Sequence, residues 1–232
     1  MNEGPKSRIR LKFARLEPAK DFTHLEQIKA LRSRAAASGL KFQPARVGGA
    51  SVPRMAFGPA ISVGHESLCE YADLFLEEFV REESAREKIQ AFDDANFRLL
   101  AARRIPVFFP SIEAAVNAVE YFLEGTFPAG FSQASLDVFA ALKNLPYEKV
   151  KPSGERKMLD ARAPLLSASW DACARPPGTC AGLLKLTLRL SPGRNVKPEI
   201  VAELMAAGRP ELRRITRKEF YWQDSQGKLV VF

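Results

Sequence analysis

The residues best equipped for chemistry lie in one stretch, Arg54 to Tyr71, reading RMAFGPAISVGHESLCEY. An imidazole, two carboxylates, a hydroxyl, a thiol and a phenol (His65, Glu66, Ser67, Cys69, Glu70 and Tyr71) follow Gly58-Pro59 and Gly64. Short apolar runs flank these glycines, so the segment reads as a shaped loop between strands. The chain's other histidine is His24. Imidazole changes charge nearest neutrality and can serve as a general base beside a phosphate. His24 is therefore the candidate catalytic residue, in competition with substrate contact and with plain polar packing. Glu66, Glu70 and Asp73 could cluster, but strand alternation puts Glu70 and Asp73 on opposite faces. Solvated edge charges are the competing reading. No metal site is predicted, since further oxygen ligands cannot be placed.

Several chemistries are missing. A radical-generating iron–sulfur site needs three closely spaced thiolates, and Cys69, Cys173 and Cys180 form no CxxxCxxC string. The same count excludes a zinc ribbon. There is no GxxxxGK[ST] phosphate loop and no GxSxG elbow; Gly48-Gly49 lacks the lysine and serine that would make it a nucleotide cradle. Cys173 and Cys180 flank a Pro-Pro-Gly loop and read as reduced thiols or as a redox pair. The N-terminal MNEGPKSRIRLKF is charged where a secretory signal is apolar. No stretch approaches the roughly 20 apolar residues of a membrane span. Cytoplasmic residence with no membrane contact is expected.

Charge offers more. Residues 1–60 hold 12 Lys/Arg against 4 Asp/Glu, residues 61–150 hold 8 against 15, and residues 151–232 hold 15 against 8. Basic ends around an acidic middle could steer a polyanion, unless the blocks intermix in space. Arg8, Arg10 and Lys12 alternate with Ile9, Leu11 and Phe13, the period of a half-buried strand with one basic face. Arg46 and Arg54 bracket the glycine pair. Arg213, Arg214, Arg217 and Lys218 crowd beside Phe220, Tyr221 and Trp222. Guanidinium groups beside aromatic rings suit phosphate contact plus base stacking; the solvent side of an ordinary sheet looks similar.

The elements that must position these residues can be read in order. After the first strand, Thr23 and Glu26 spell a capping box for a helix through Phe22, Leu25, Ile28, Leu31 and Ala35 that stops at Gly39. Strands are expected over 40–43, halted by Pro44, then over 54–57 and 70–76. A helix follows over 84–92 and a strand over 97–107. Residues 111–122 are ambiguous, and Pro128-Ala129-Gly130 marks a boundary between halves at 1–128 and 129–232. Beyond it come a helix capped at Ser132 or Ser135, strands over 147–150, 165–170 and 183–190, and a helix from Pro198 to about Ala207. Strands over 212–222 and 229–232 close the chain. The fold class is α+β: two ferredoxin-like α/β-sandwich halves with mainly antiparallel sheets. No internal sequence repeat announces a duplication.

Phe22-x-His24-Leu25-Glu26, Pro53-Arg54-x-x-Phe57-Gly58-Pro59-Ala60, Val63-Gly64-x-Glu66-Ser67 and Glu70-Tyr71-x-Asp73 resemble the radical SAM-associated (radical SAM-linked) protein family. Weaker similarity extends through Asp160-Ala161-Arg162 and Lys197-Pro198. The resemblance implies a separate radical SAM enzyme as partner, with S-adenosylmethionine and the iron–sulfur cluster on that partner and no cofactor on this chain. Relatives carry Gly-Phe-His-Pro where this chain has Gly48-Gly49-Ala50-Ser51. If that loop touches substrate in relatives, its contacts differ here.

Together these features predict an accessory substrate-binding protein that holds RNA, such as tRNA or rRNA, for RNA modification by the partner enzyme. The substrate pocket would use His24, Arg54, Gly58, Pro59, Gly64 and Glu66. Arg8, Arg10, Arg213, Arg214, Arg217 and Lys218 would contact phosphates. The alternatives are a metal-free ribonuclease or RNA-modifying enzyme using His24, and an adaptor that binds protein only.

Overall fold

A computed structural model describes residues 4–150, 153–173 and 180–232. The chain divides into two compact units, Met1–Ala115 and Val116–Phe232. The division falls earlier than the Pro128 turn, which instead separates a strand from a helix inside the second unit.

In the first unit β1 (Ser7–Arg15) leads through a 3₁₀ turn (Glu17–Ala19) to α1 (His24–Ala37). The expected capping box is present. Glu26 N–H donates to Thr23 Oγ1 at 3.3 Å, and Thr23 N–H donates to Glu26 Oε2 at 2.7 Å. A hairpin of β2 (Pro44–Val47) and β3 (Ala50–Pro53) follows, then β4 (Met55–Phe57), β5 (Glu66–Leu76), α2 (Glu82–Gln90), β6 (Phe97–Ile105) and a single turn, α3 (Ile112–Ala115). The sheet order is β4-β5-β1-β6, antiparallel throughout. Both longer helices cover one face. Ile9, Leu11 and Phe13 of β1 join Leu31 and Ala35 of α1 and Ala85 and Ile89 of α2 in one buried core.

The β2–β3 hairpin replaces the strand expected over 40–43. Phe42 forms only an isolated bridge to Leu76, and Pro44 opens a strand instead of stopping one. Gly48 and Gly49 make its two-residue turn at φ 56° and 83°. A turn with positive φ at both central residues matches the strand twist and favours glycine. The glycine pair is thus a hairpin tip.

The second unit runs β7 (Ala118–Phe127), α4 (Gln133–Ala141), the hairpin β8 (Pro146–Val150) and β9 (Arg156–Asp160), then β10 (Leu165–Ala172), β11 (Cys180–Arg189), α5 (Pro198–Met205), β12 (Glu211–Gln223) and β13 (Leu229–Val231). Its order is β10-β11-β7-β12, again antiparallel, with β13 on β12. Val119, Leu123, Leu184, Leu186 and Leu188 are buried, as are Leu136 and Phe139 of α4 and Val201 and Met205 of α5. Gly182 is required beneath Trp170: a Cβ there would lie 2.6 Å from the indole ring.

Both units therefore follow β-α-β-β-α-β with the order of a split βαβ, ferredoxin-like fold. Each also inserts a hairpin between its first helix and its second core strand. Two ferredoxin-like halves were legible in the sequence; the shared insertion was not.

Candidate nucleic-acid interface

Alternation along β1 sends Arg8, Arg10 and Lys12 to the face opposite the helices. Register brings them beside Phe75, Asp73 and Tyr71 of β5 and beside Ile105, Arg103 and Ala101 of β6. Arg54, which precedes β4, places its guanidinium 4.6 Å from the Phe75 ring centroid. Lys12 lies over Tyr71 at 5.3 Å and Arg8 over Phe75 at 5.2 Å. The strands thus gather cations and two aromatic rings around one carboxylate, Asp73.

Asp73 is fully buried and holds two guanidinium groups. Arg10 donates from Nε to Oδ1 at 2.8 Å and from Nη2 to Oδ2 at 3.0 Å. Arg8 donates from Nε and Nη2 to Oδ2 at 3.1 and 2.5 Å. Its remaining N–H groups reach the carbonyls of Val107 (3.3 Å), Phe109 (2.5 Å) and Pro110 (3.0 Å). All five guanidinium donors are spent within the protein. This corrects the expectation that Arg8 meets phosphate: it is 3% exposed and instead fastens the segment after β6 over this face. Arg10 is largely buried as well. Solvent reaches Arg54, Arg98 and Arg103, and in part Lys12 and Phe75. Arg98 pairs opposite Ala14, which puts it on the basic side of the bulge in β6. Arg98 and Arg103 were not singled out in the sequence, although Arg98 alternates with Phe97 and Leu99 as β1 does.

Apart from Arg54, the residues expected to form a substrate pocket gather around the segment that leads from β1 into α1. His24 is the first residue of α1 and is half-buried. The loop 58–65 is tied to the segment entering α1, where Gly64 N–H donates to Lys20 O at 2.7 Å. It is tied to β5 by Gly58 N–H donating to Tyr71 O at 3.0 Å. Gly64 has φ 87°, a left-handed conformation that a side chain would strain. Pro59 and Glu66 are half-buried and His65 is buried. Beneath them Arg15 Nη1 donates to Gln27 Oε1 at 2.9 Å, and Gln27 Nε2 donates to Glu70 Oε2 at 2.5 Å. Arg15 also binds the carbonyls of Lys20 and Phe22 at 2.6 and 2.7 Å. Glu70 and Asp73 are thus both buried, on opposite faces, which corrects their reading as solvated edge charges. Arg54, on the Phe75 side, lies on the sheet face opposite the Glu70 network.

In the second unit the basic run of β12 is largely committed. Arg213 Nη2 lies 2.9 Å and Arg214 Nη1 3.8 Å from the Glu124 carboxylate. Arg217 is 2% exposed and stacks on the core ring of Phe220 at 4.7 Å, which corrects its expected place at an exposed patch. Lys218 and Lys185 lie over Phe122 at 5.6 and 5.7 Å, and Lys185 pairs with Asp171 at 2.7 Å. Trp222 is exposed. Cys173, Cys180 and Cys69 are free thiols. Cys173 N–H donates to Ala181 O, so Cys173 faces Ala181 and Cys180 projects to the other side of the ladder; residues 174–179 between them lie outside the described residues.

Two motif residues serve the fold. Asp160 Oδ1 accepts from the backbone N–H of Leu145, Arg162 and Ala163 at 2.9, 2.9 and 3.3 Å. Burial pushes its pKa upward, but those donors outweigh it and hold the carboxyl below 3.8. Arg162 grips Ala140 O and Leu165 O. Among the described residues no helix is long and apolar enough to cross a membrane.

No curated protein matches the chain. Three solved structures are similar over most of it. A Cbf5–Nop10–Gar1 complex aligns at 8% identity with a TM-score of 0.43, covering 90% of this chain and 48% of that one. An archaeal box H/ACA sRNP Nop10–Cbf5 complex aligns at 7% with a TM-score of 0.42, covering 89% and 46%. An H/ACA RNP bound to a substrate RNA containing 2′-deoxyuridine aligns at 7% with a TM-score of 0.41, covering 89% and 46%. The chain spans about half the length of these solved chains. Residues 8–198 match one family model, and the chain belongs to that family, described as an uncharacterised protein conserved in bacteria (DUF2344).

Proposed function

We propose that this protein is an accessory RNA-binding protein that grips RNA on the helix-free sheet face of its first unit. The observation that carries the reading is the charge of that face. Asp73 is its one carboxylate among the strand positions in register and is buried beneath Arg8 and Arg10, while Lys12, Arg54, Arg98 and Arg103 stand on the same face with the partly exposed Phe75. Cations neutralise phosphates without regard to sequence, and an exposed ring offers a stacking platform for a base. Arg8 supports this surface from within.

The finer reading places the protein in the cytoplasm, where it presents tRNA or rRNA to a separate radical SAM enzyme that carries S-adenosylmethionine and the iron–sulfur cluster. That partner rests on the resemblance of residues 22–26 and 53–73, since the family description names neither partner nor reaction. It is tested by affinity capture on the full chain in its native cells, with the recovered proteins identified by mass spectrometry; recovery of no radical SAM enzyme would refute the pairing.

RNA binding is tested by fluorescence anisotropy on the full chain across a salt series. Four phosphate contacts to single-stranded RNA give a slope of log affinity against log salt of about −3. Lys12→Glu with Arg103→Glu is expected to lower affinity at least tenfold, with the slope flattened. A salt-independent wild-type affinity, or an unchanged affinity in the folded double variant, contradicts the proposal.

A further inference from the structure

The segment after β6 reads Pro106-Val107-Phe108-Phe109-Pro110 and contains the most exposed large apolar side chain among the described residues. Phe108 is 90% exposed. It occupies a β-turn closed by Phe109 N–H donating to Pro106 O at 3.0 Å, and a proline bounds the turn on each side. The turn does not hang free: the carbonyls of Val107, Phe109 and Pro110 all accept from the buried Arg8 guanidinium. That guanidinium is itself fixed to Asp73. The backbone on both sides of Phe108 is therefore anchored on the basic face while its ring projects into water.

We propose that Phe108 is a base-stacking residue, and that it makes the protein select single-stranded over duplex RNA. The inference rests on the RNA reading of the same face. Burying a phenylalanine is worth roughly 1.5–3 kcal/mol, and a loosely held loop would fold such a ring onto the protein. Here the clamp and the prolines hold it out. An unpaired base presents a flat π-face to such a ring, whereas bases in a duplex are already stacked on their neighbours. Charge favours a nucleotide over an apolar protein groove as the occupant. The turn folds over the face that bears Lys12, Arg98 and Arg103, while Glu82 and Glu83 belong to α2 on the opposite face.

The test compares the full chain with Phe108→Ala, Phe108→Leu and Phe108→Tyr on a short oligouridine and on an RNA duplex of equal length. Wild type is expected to bind oligouridine about tenfold tighter than duplex. Phe108→Ala and Phe108→Leu should lose about tenfold on oligouridine, within the range of one stacked base, and leave duplex binding unchanged. Phe108→Tyr should keep wild-type affinity, and all variants should melt like wild type because the side chain is solvent-exposed. Equal wild-type affinity for the two RNAs, an unaltered Phe108→Ala, or full affinity in Phe108→Leu would each overturn the stacking role and leave the basic face standing. Absence of binding to both RNAs by wild type would overturn the face itself.

Discussion

The two units share a strand order, a helix placement and an inserted hairpin, yet they treat charge on their helix-free sheet faces in opposite ways. By composition they differ little: residues 1–115 hold 18 Lys/Arg and 15 Asp/Glu, and residues 116–232 hold 17 and 12. The difference lies in placement. In the second unit Glu120, Glu124 and Asp171 stand among Lys185, Arg214 and Lys218, and ion pairs to Glu124 and Asp171 cancel much of that charge locally. The first unit sets one carboxylate, buried, against at least five cations in register. A fold fixes where alternate residues point; the residues chosen decide whether the resulting face attracts a polyanion.

The largest expected effect breaks the first arrangement from inside. Asp73→Ala leaves two buried guanidinium groups facing each other, and loss of one partner of a buried ionic cluster costs about 3–5 kcal/mol. Its counterpart in the second unit is a surface pair, Lys185–Asp171, with both side chains at least one-third exposed. Lys185→Ala should cost at most about 1 kcal/mol. Urea denaturation of the two variants checks the contrast, and similar losses would mean that Asp73 is not the organising charge.

A smaller effect concerns binding. Arg213→Ala with Arg214→Ala removes cations already paired to Glu124, so RNA affinity should fall less than threefold, against tenfold or more for Lys12→Glu with Arg103→Glu. Anisotropy at one salt concentration reads both. The reverse ranking would move the interface to the second unit.

The smallest effect is one the units share. Asp94 accepts from the N–H groups of Asn96 and Phe97 at 2.7 and 2.9 Å and pairs with Arg34; Asp160 accepts from three backbone donors. In both, burial raises the pKa, but the donors win and hold it below the ordinary 3.8. A folded pKa below the unfolded value gives stability that is complete above the unfolded pKa and is lost as pH falls through the folded one. Thermal melts should show this loss beginning near pH 3.8 and deepening below it. Asp94→Asn and Asp160→Asn should each flatten that dependence.

Local pattern carried much of this structure in the sequence. The Arg8–Phe13 alternation, the Thr23–Glu26 box, Pro198 at a helix start and the strand–helix order all act within a few residues, and together they led to two ferredoxin-like halves. What failed to show depends on partners far along the chain. Arg8 reads as a surface cation until Asp73 and the carbonyls of Val107, Phe109 and Pro110 are brought to it. Asp73 reads as an edge acid until two arginines cover it. The hairpin at Gly48-Gly49 was hidden because its strands are short and exposed, so no apolar alternation marks them. The shared strand order leaves no sequence repeat because a shared fold requires only shared periodicity, which many residue choices satisfy.

The central claim is that RNA lies on the helix-free sheet face of the first unit. Photo-crosslinking the full chain to single-stranded RNA carrying 4-thiouridine, followed by peptide mapping, reads it most directly. Adducts are predicted within residues 54–75 and 98–110, with Phe108 prominent. Adducts confined to residues 116–232, or none that an excess of unmodified RNA displaces, would contradict it.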